Sequence, residues 1–193
     1  MPAGIRRSCV ATLVLAMRLS STLFHVKNTA LLVLLWTCSA WMYATLTDDM
    51  PTHFSLMGTV SDWAEPTWSQ WFLLPAVGSG IALLMYVVGF IIPRYPSWVV
   101  VPNPKTYSAL TNSRQDIVLQ TMQHILYGIA ALLLALFLVL QWGTYEVALT
   151  GAEALPTYAR VVLWGSLPFL ILLGPVVVWL IHRTIARLHA EQR

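Results

Sequence analysis

The chain has 193 residues, 58% hydrophobic and only 10% charged, with a mean hydropathy of +0.69, whereas a soluble domain carries about 25% charged residues. This is a membrane composition, and four spans of roughly 20 residues each leave no room within these residues for a separate soluble catalytic domain. A net charge of +3 admits a nucleic-acid partner only as a bulk number; placed along the chain, the cations report topology, and no nucleic acid is expected.

Residues 1–27 open with Arg6, Arg7 and the apolar run Cys9 to Met17, a pattern that looks like a signal peptide. Arg18 interrupts it and no clean small-residue cleavage site follows. On a helical wheel Val10, Leu13, Val14, Met17 and Phe24 form an apolar stripe apart from Arg7, Arg18, Thr22 and His25. The expectation is an N-terminal amphipathic helix in the inner interface that turns into the first span.

Four segments free of Lys, Arg, Asp and Glu then reach spanning length, at 28–46, 71–92, 117–142 and 161–181. They divide a single membrane domain into an outer loop 47–70, an inner loop 93–116, a second outer loop 143–160 and a tail 182–193. Arg6, Arg7, Arg18 and Lys27 precede the first span, Arg94, Lys105 and Arg114 lie between the second and third, and Arg183, Arg187 and Arg193 follow the fourth. Only Arg160 lies elsewhere, while Asp48, Asp49, Asp62, Glu65, Glu146 and Glu153 occupy the outer loops. The positive-inside rule therefore puts both termini in the cytoplasm. Interfacial tryptophans agree, with Trp41, Trp63, Trp68, Trp71, Trp142 and Trp164 outside and Trp98 and Trp179 inside. The fold expected is an all-α integral membrane protein with four transmembrane helices, N-in and C-in, and a structured first extracytoplasmic loop.

Cys9 and Cys38 do not pair across an oxidising face, so no disulfide is expected. Their spacing fits no cysteine metal motif, and no phosphate loop, nucleophile elbow or His-Glu-x-x-His stands in the chain. Catalytic, cofactor-binding and metal-ligating residues are accordingly assigned as none, and no enzyme activity is expected.

The first outer loop, from Asp48 to Pro75, is too rich in Pro, Gly, Asp and Trp for a plain connector. Thr52-His53-Phe54 reads as a short extended strand after Pro51, and Gly58 as a turn needing positive φ. Asp62 reads as the N-cap of a short helix, or Thr67 or Ser69 as the cap of the second span. His53 with the nearby carboxylates is set against a divalent-metal or proton-responsive cluster; one histidine in a turn held by its own hydrogen bonds is the reading adopted.

Pro51, His53, Phe54, Gly58, Asp62 and Trp63, followed by an apolar span containing Pro75, resemble the bacterial membrane family called domain of unknown function 1648. That domain also forms the N-terminal part of SdpI-type immunity and signalling proteins. Val101 to Tyr107, with Asn112 to Gln115 behind, resembles the family's inner segment, although Pro104 is inserted and no aromatic follows Tyr107. The resemblance covers about 48–141 and implies a multi-pass protein of the bacterial inner (cytoplasmic) membrane, with immunity or signalling as the inherited function.

In the third span Asp116, Gln120, Gln123 and Tyr127 recur at helical spacing on one face with His124 beside them, a polar face over the inner half. Ala130 to Leu140 is wholly apolar, against a continuous channel on this helix. In the second span Ala76, Gly78, Ser79 and Gly80 offer a small surface for close helix approach. In the fourth, Pro168 and Pro175 should bend the helix between Gly165 and Gly174. The function expected is that of a small non-enzymatic membrane protein, partner-binding, immunity or signalling, or an accessory subunit of a membrane complex. The alternative is an oligomeric transporter or channel component using the polar face. Its partners are the lipid bilayer and other membrane subunits or further copies of itself.

Overall fold

The structure, a computed structural model, describes the backbone of residues 3–192 and the side chains of residues 22–192. In chain order it holds α1 (Ala3–Thr45), β1 (Met50–Phe54), β2 (Val60–Ala64), α2 (Trp68–Trp71), α3 (Leu73–Ile91), a 3-10 turn (Pro96–Trp98), α4 (Pro104–Ser108), α5 (Asn112–Thr150) and α6 (Thr157–Ala190). Four of these helices are long and apolar enough to cross a membrane, as expected. The amphipathic stripe over Val10, Leu13, Val14 and Met17 lies outside the described side chains; from Thr22 onward the helix enters the span without a turn.

Helix α5 is the hub. At ~1.5 Å per residue its 39 residues reach almost 60 Å, about twice the hydrocarbon thickness, so it protrudes and gives other elements something to pack on. The helix continues beyond the span read at 117–142 as far as Gly151, whose φ of 63° closes it. Glu146 is therefore helical, and the connection from α5 to α6 is 151–156.

Three helices pack on α5. Leu35 of α1 and Ala82 of α3 meet Ala130 and Leu134 in one buried cluster. Toward the β hairpin, Met42, Met50, Trp71, Tyr145 and Ala148 form a second. Helix α6 is fastened at its two ends: Ala159 packs with Val147 and Leu155, and Ile181 and Ile185 pack with Leu110 and Val118. Arg114, at the start of α5, donates to the carbonyls of Leu188 and Glu191, capping the last turn of α6 where carbonyls lack helical partners.

The connection between the first two spans is folded. Strands β1 and β2 pair antiparallel, with Pro51 opposite Trp63 and His53 opposite Asp62, and Gly58 turns the chain at φ 79°. Asp62 is thus a strand residue, correcting the expectation of a helix cap there. Thr67 caps the short α2 rather than the second span, whose helix follows Phe72: it has extended backbone angles and its hydroxyl accepts from the Gln70 N–H, while donating to Gln70 Oε1 at 2.8 Å. Ser69 lies inside α2.

Candidate functional site

Two regions gather the residues singled out by sequence. The first is a polar clasp at the end of the helices away from the hairpin. Pro93 has no N–H, so the carbonyl of Gly89, four residues earlier, loses its helical donor. Gln123 supplies one, its Nε2 donating to Gly89 O at 3.0 Å and to the Tyr127 hydroxyl at 3.0 Å. The next carbonyl, Phe90 O, receives Arg94 at 2.9 Å. Gln123 therefore caps α3 from α5.

Tyr127 is buried at 3% exposure and stacks on Tyr86, ring centroids 4.5 Å apart. It fits because Gly89 has no side chain: a Cβ there would lie 2.9 Å from Tyr127 Cε1. From α1, buried Asn28 donates to Tyr127 O at 3.0 Å and to Phe24 O at 2.9 Å. His25 lies 5.1 Å from the Tyr127 ring, and His124 stacks on Phe24 at 5.5 Å. Two amides, Asn28 from α1 and Gln123 from α5, and the stack of Tyr86 on Tyr127 thus tie α1, α3 and α5 together.

Of the expected polar face, Gln123, His124 and Tyr127 come together here. Asp116 is exposed and Gln120 half-buried, below the clasp rather than in it. Asp116 instead bears on the inner loop, where burial first and then this carboxylate push the Tyr107 phenol above its ordinary value. The sequence reading missed Asn28, Tyr86 and Gly89, whose roles depend on which helices cross. It also missed Gln141, 1% exposed, whose amide nitrogen and oxygen both lack a hydrogen-bond partner.

The second region is a cap over the other end of the bundle. The hairpin is bound to the second connection by Val60 N–H to Glu153 O and Leu155 N–H to Gly58 O, both 2.8 Å, so the two loops form one unit. Pro51 is buried and Phe54 packs against the cluster of Val147, Leu155 and Ala159. His53 is exposed, its Nδ1 3.3 Å from the Thr52 hydroxyl, so its bond is to a side chain rather than to loop backbone. Asp62 is exposed and accepts from the Trp63 N–H at 3.0 Å. Among the described residues no group of three or more His, Cys, Asp or Glu is placed to hold a metal ion. Asp48, Asp49, Glu65 and Glu153 instead border an open groove of about 900 Å³ walled on one side by Trp63.

No protein-family profile, curated protein or solved structure matches this chain. The family resemblance therefore rests on the residues quoted for it. What belongs to the fold is the four apolar helices of a multi-pass membrane protein.

Proposed function

We propose that this chain is a non-enzymatic membrane protein that works by docking another membrane protein, as an accessory, immunity or signalling subunit, with its cap on the outer face of a bacterial cytoplasmic membrane. The observation that carries this reading is the cap itself: two separate connections, joined by the bonds at Val60 and Leu155, form one rigid surface seated on α5. That surface exposes Trp68 and Trp63 at 67% and 37%, an apolar load that suits contact more than solvation. The clasp supports the same reading from the other direction, because its amides bond neighbouring helices rather than lining a lumen. The sequence resemblance to SdpI-type proteins agrees with an immunity or signalling role.

Purification in a mild detergent tests this. A stoichiometric membrane partner, lost on replacing Trp68 by Ser, is the expected result, and a lone monomer counts against it. Reporter fusions at Thr59 and Asn103 test the orientation, which requires an external Thr59.

One observation favours the alternative of an oligomeric transporter or channel component. Gln141 carries an unpaired amide into the half of α5 that otherwise reads as apolar. Uptake into vesicles that disappears in both Gln123→Leu and Gln141→Leu would select this reading over docking.

A further inference from the structure

Arg160 is the one cation that stands apart from the charge pattern, and neither the clasp nor the groove uses it. It sits in the first turn of α6, where the helix dipole disfavours a positive charge. Among the described residues its guanidinium makes no ion pair, and its Nε is buried without a partner. The two terminal nitrogens, also unpartnered, are not among the sealed atoms and so reach the surface. The stem of Arg160 runs against the hairpin turn: a Cβ on Gly58 would lie 2.9 Å from its Cγ and 3.2 Å from its Cδ.

That turn ties its polar groups to one another. Ser55 Oγ accepts from the Met57 and Thr59 N–H groups, each at 3.2 Å, and pairs with the Thr59 hydroxyl at 2.5 Å. Gly58 N–H donates to Ser55 O at 2.9 Å. Its exposed apolar side chains are Leu56 and Met57, with Thr59 exposed on the other side of Gly58. On α6, Val161 and Trp164 follow Arg160 at 64% and 44% exposure on a helix apolar enough to span a bilayer. The apolar span read from the sequence begins at Val161, next to Arg160, and the boundary of a span is the depth that tryptophan favours and that a long cation reaches with its stem in an apolar setting.

We infer that Arg160 and the Leu56–Met57 turn form a phospholipid site in the leaflet on the cap side, the guanidinium holding the phosphodiester and the two apolar side chains entering the acyl boundary. Charge complementarity selects an anion, and the lipid-facing neighbours Val161 and Trp164 select a lipid anion over a soluble one. A bidentate guanidinium–phosphate pair supplies the geometry.

The test is a spin label at Met57, introduced by Met57→Cys with Cys9→Ser and Cys38→Ala in the full chain, reconstituted in phosphatidylglycerol vesicles. Expected is a label about 5 Å inside the boundary, moved toward water by Arg160→Gln and largely restored by Arg160→Lys. In vesicles of a phosphate-free galactolipid the wild-type label should be shallower, and Arg160→Gln should change nothing further. The galactolipid comparison needs no Arg160 variant, so a misfolded Arg160→Gln leaves the proposal open to refutation. A wild-type label in bulk water overturns the site. Equal depths in the two lipids overturn the role of the phosphate, and recovery of depth in galactolipid on adding inorganic phosphate assigns the site to a free anion and overturns the lipid.

Discussion

Helices α3 and α6 both lie along α5, and both carry glycine and proline within an apolar run, with hydropathies of 2.0 and 2.3 over their best windows. Helix α3 uses its glycines as contact points. At Gly78 a Cβ would lie 2.7 Å from Phe137 Cγ, and at Gly89 2.9 Å from Tyr127 Cε1. Helix α6 is held at its ends, while Gly165 and Gly174 have nothing within 4 Å and Ile171 and Leu172 are 75% and 60% exposed. Pro168 and Pro175 leave the carbonyls of Trp164 and Ile171 without their helical donors. Similar composition therefore serves close packing in one helix and an exposed apolar course in the middle of the other. The difference lies in what stands opposite: the rings of Phe137 and Tyr127 press on Gly78 and Gly89, whereas nothing lies within 4 Å of Gly165 and Gly174.

The sharpest way to break this comparison is to add one methyl group to α3. Gly78→Ala and Gly89→Ala should each destabilise the bundle by about 1–3 kcal/mol, read as a lower unfolding midpoint in maltoside micelles. Gly89→Ala is the more informative, since Tyr127 is held by Gln123, by its stack on Tyr86 and by the Asn28 bond to its carbonyl. An unchanged midpoint in both variants would mean that α3 does not approach α5 as described.

Next in size are the two glutamines of α5. Gln123 and Gln141 lie 18 residues apart, five turns at 3.6 residues each, and so share a face. Gln123→Leu removes the cap on Gly89 O and should cost about 1 kcal/mol, the scale of hydrogen bonds between membrane helices. Gln141→Leu removes a buried amide that has no partner, and should stabilise by about 1–2 kcal/mol. Opposite signs from one substitution on one helix face would establish that partner, rather than depth, decides the energetics. Loss of stability in Gln141→Leu would mean that its amide is satisfied, for example by internal water.

The spans were legible because hydropathy is a local property, and the strand at Thr52 to Phe54, the turn at Gly58 and a cap at Thr67 because each is set within a few residues; the second strand and its pairing were not. Asp62 was misread because Asp-Trp-Ala-Glu-Pro carries a helix-entry signal, and only pairing with β1 makes it a strand. In the second span the small run 76–80 was read as one surface. The structure divides it: Gly78 faces Phe137, Gly80 faces nothing within 4 Å, and Ser79 accepts from Trp36 Nε1 at 2.9 Å. The clasp was half legible. Gln123, His124 and Tyr127 follow helical spacing, whereas Asn28 and Gly89 join them only through helix crossings that no local pattern encodes.

The smallest expected effect lies in α6 and completes the contrast. Gly165→Ala and Gly174→Ala add a methyl to open space, so no side chain must move. Alanine also restricts the unfolded chain and favours the helix by up to about 1 kcal/mol in water, a gain that Pro168 and Pro175, inside the same helix, reduce by removing helical hydrogen bonds beside these positions. The midpoint should stay level or rise slightly, against the fall produced by the same substitution in α3. A fall comparable to that of Gly78→Ala would place a close neighbour against the middle of α6. Since none stands there among the described residues, repeating the measurement across protein concentration would identify it: a midpoint that depends on concentration assigns that neighbour to a second copy.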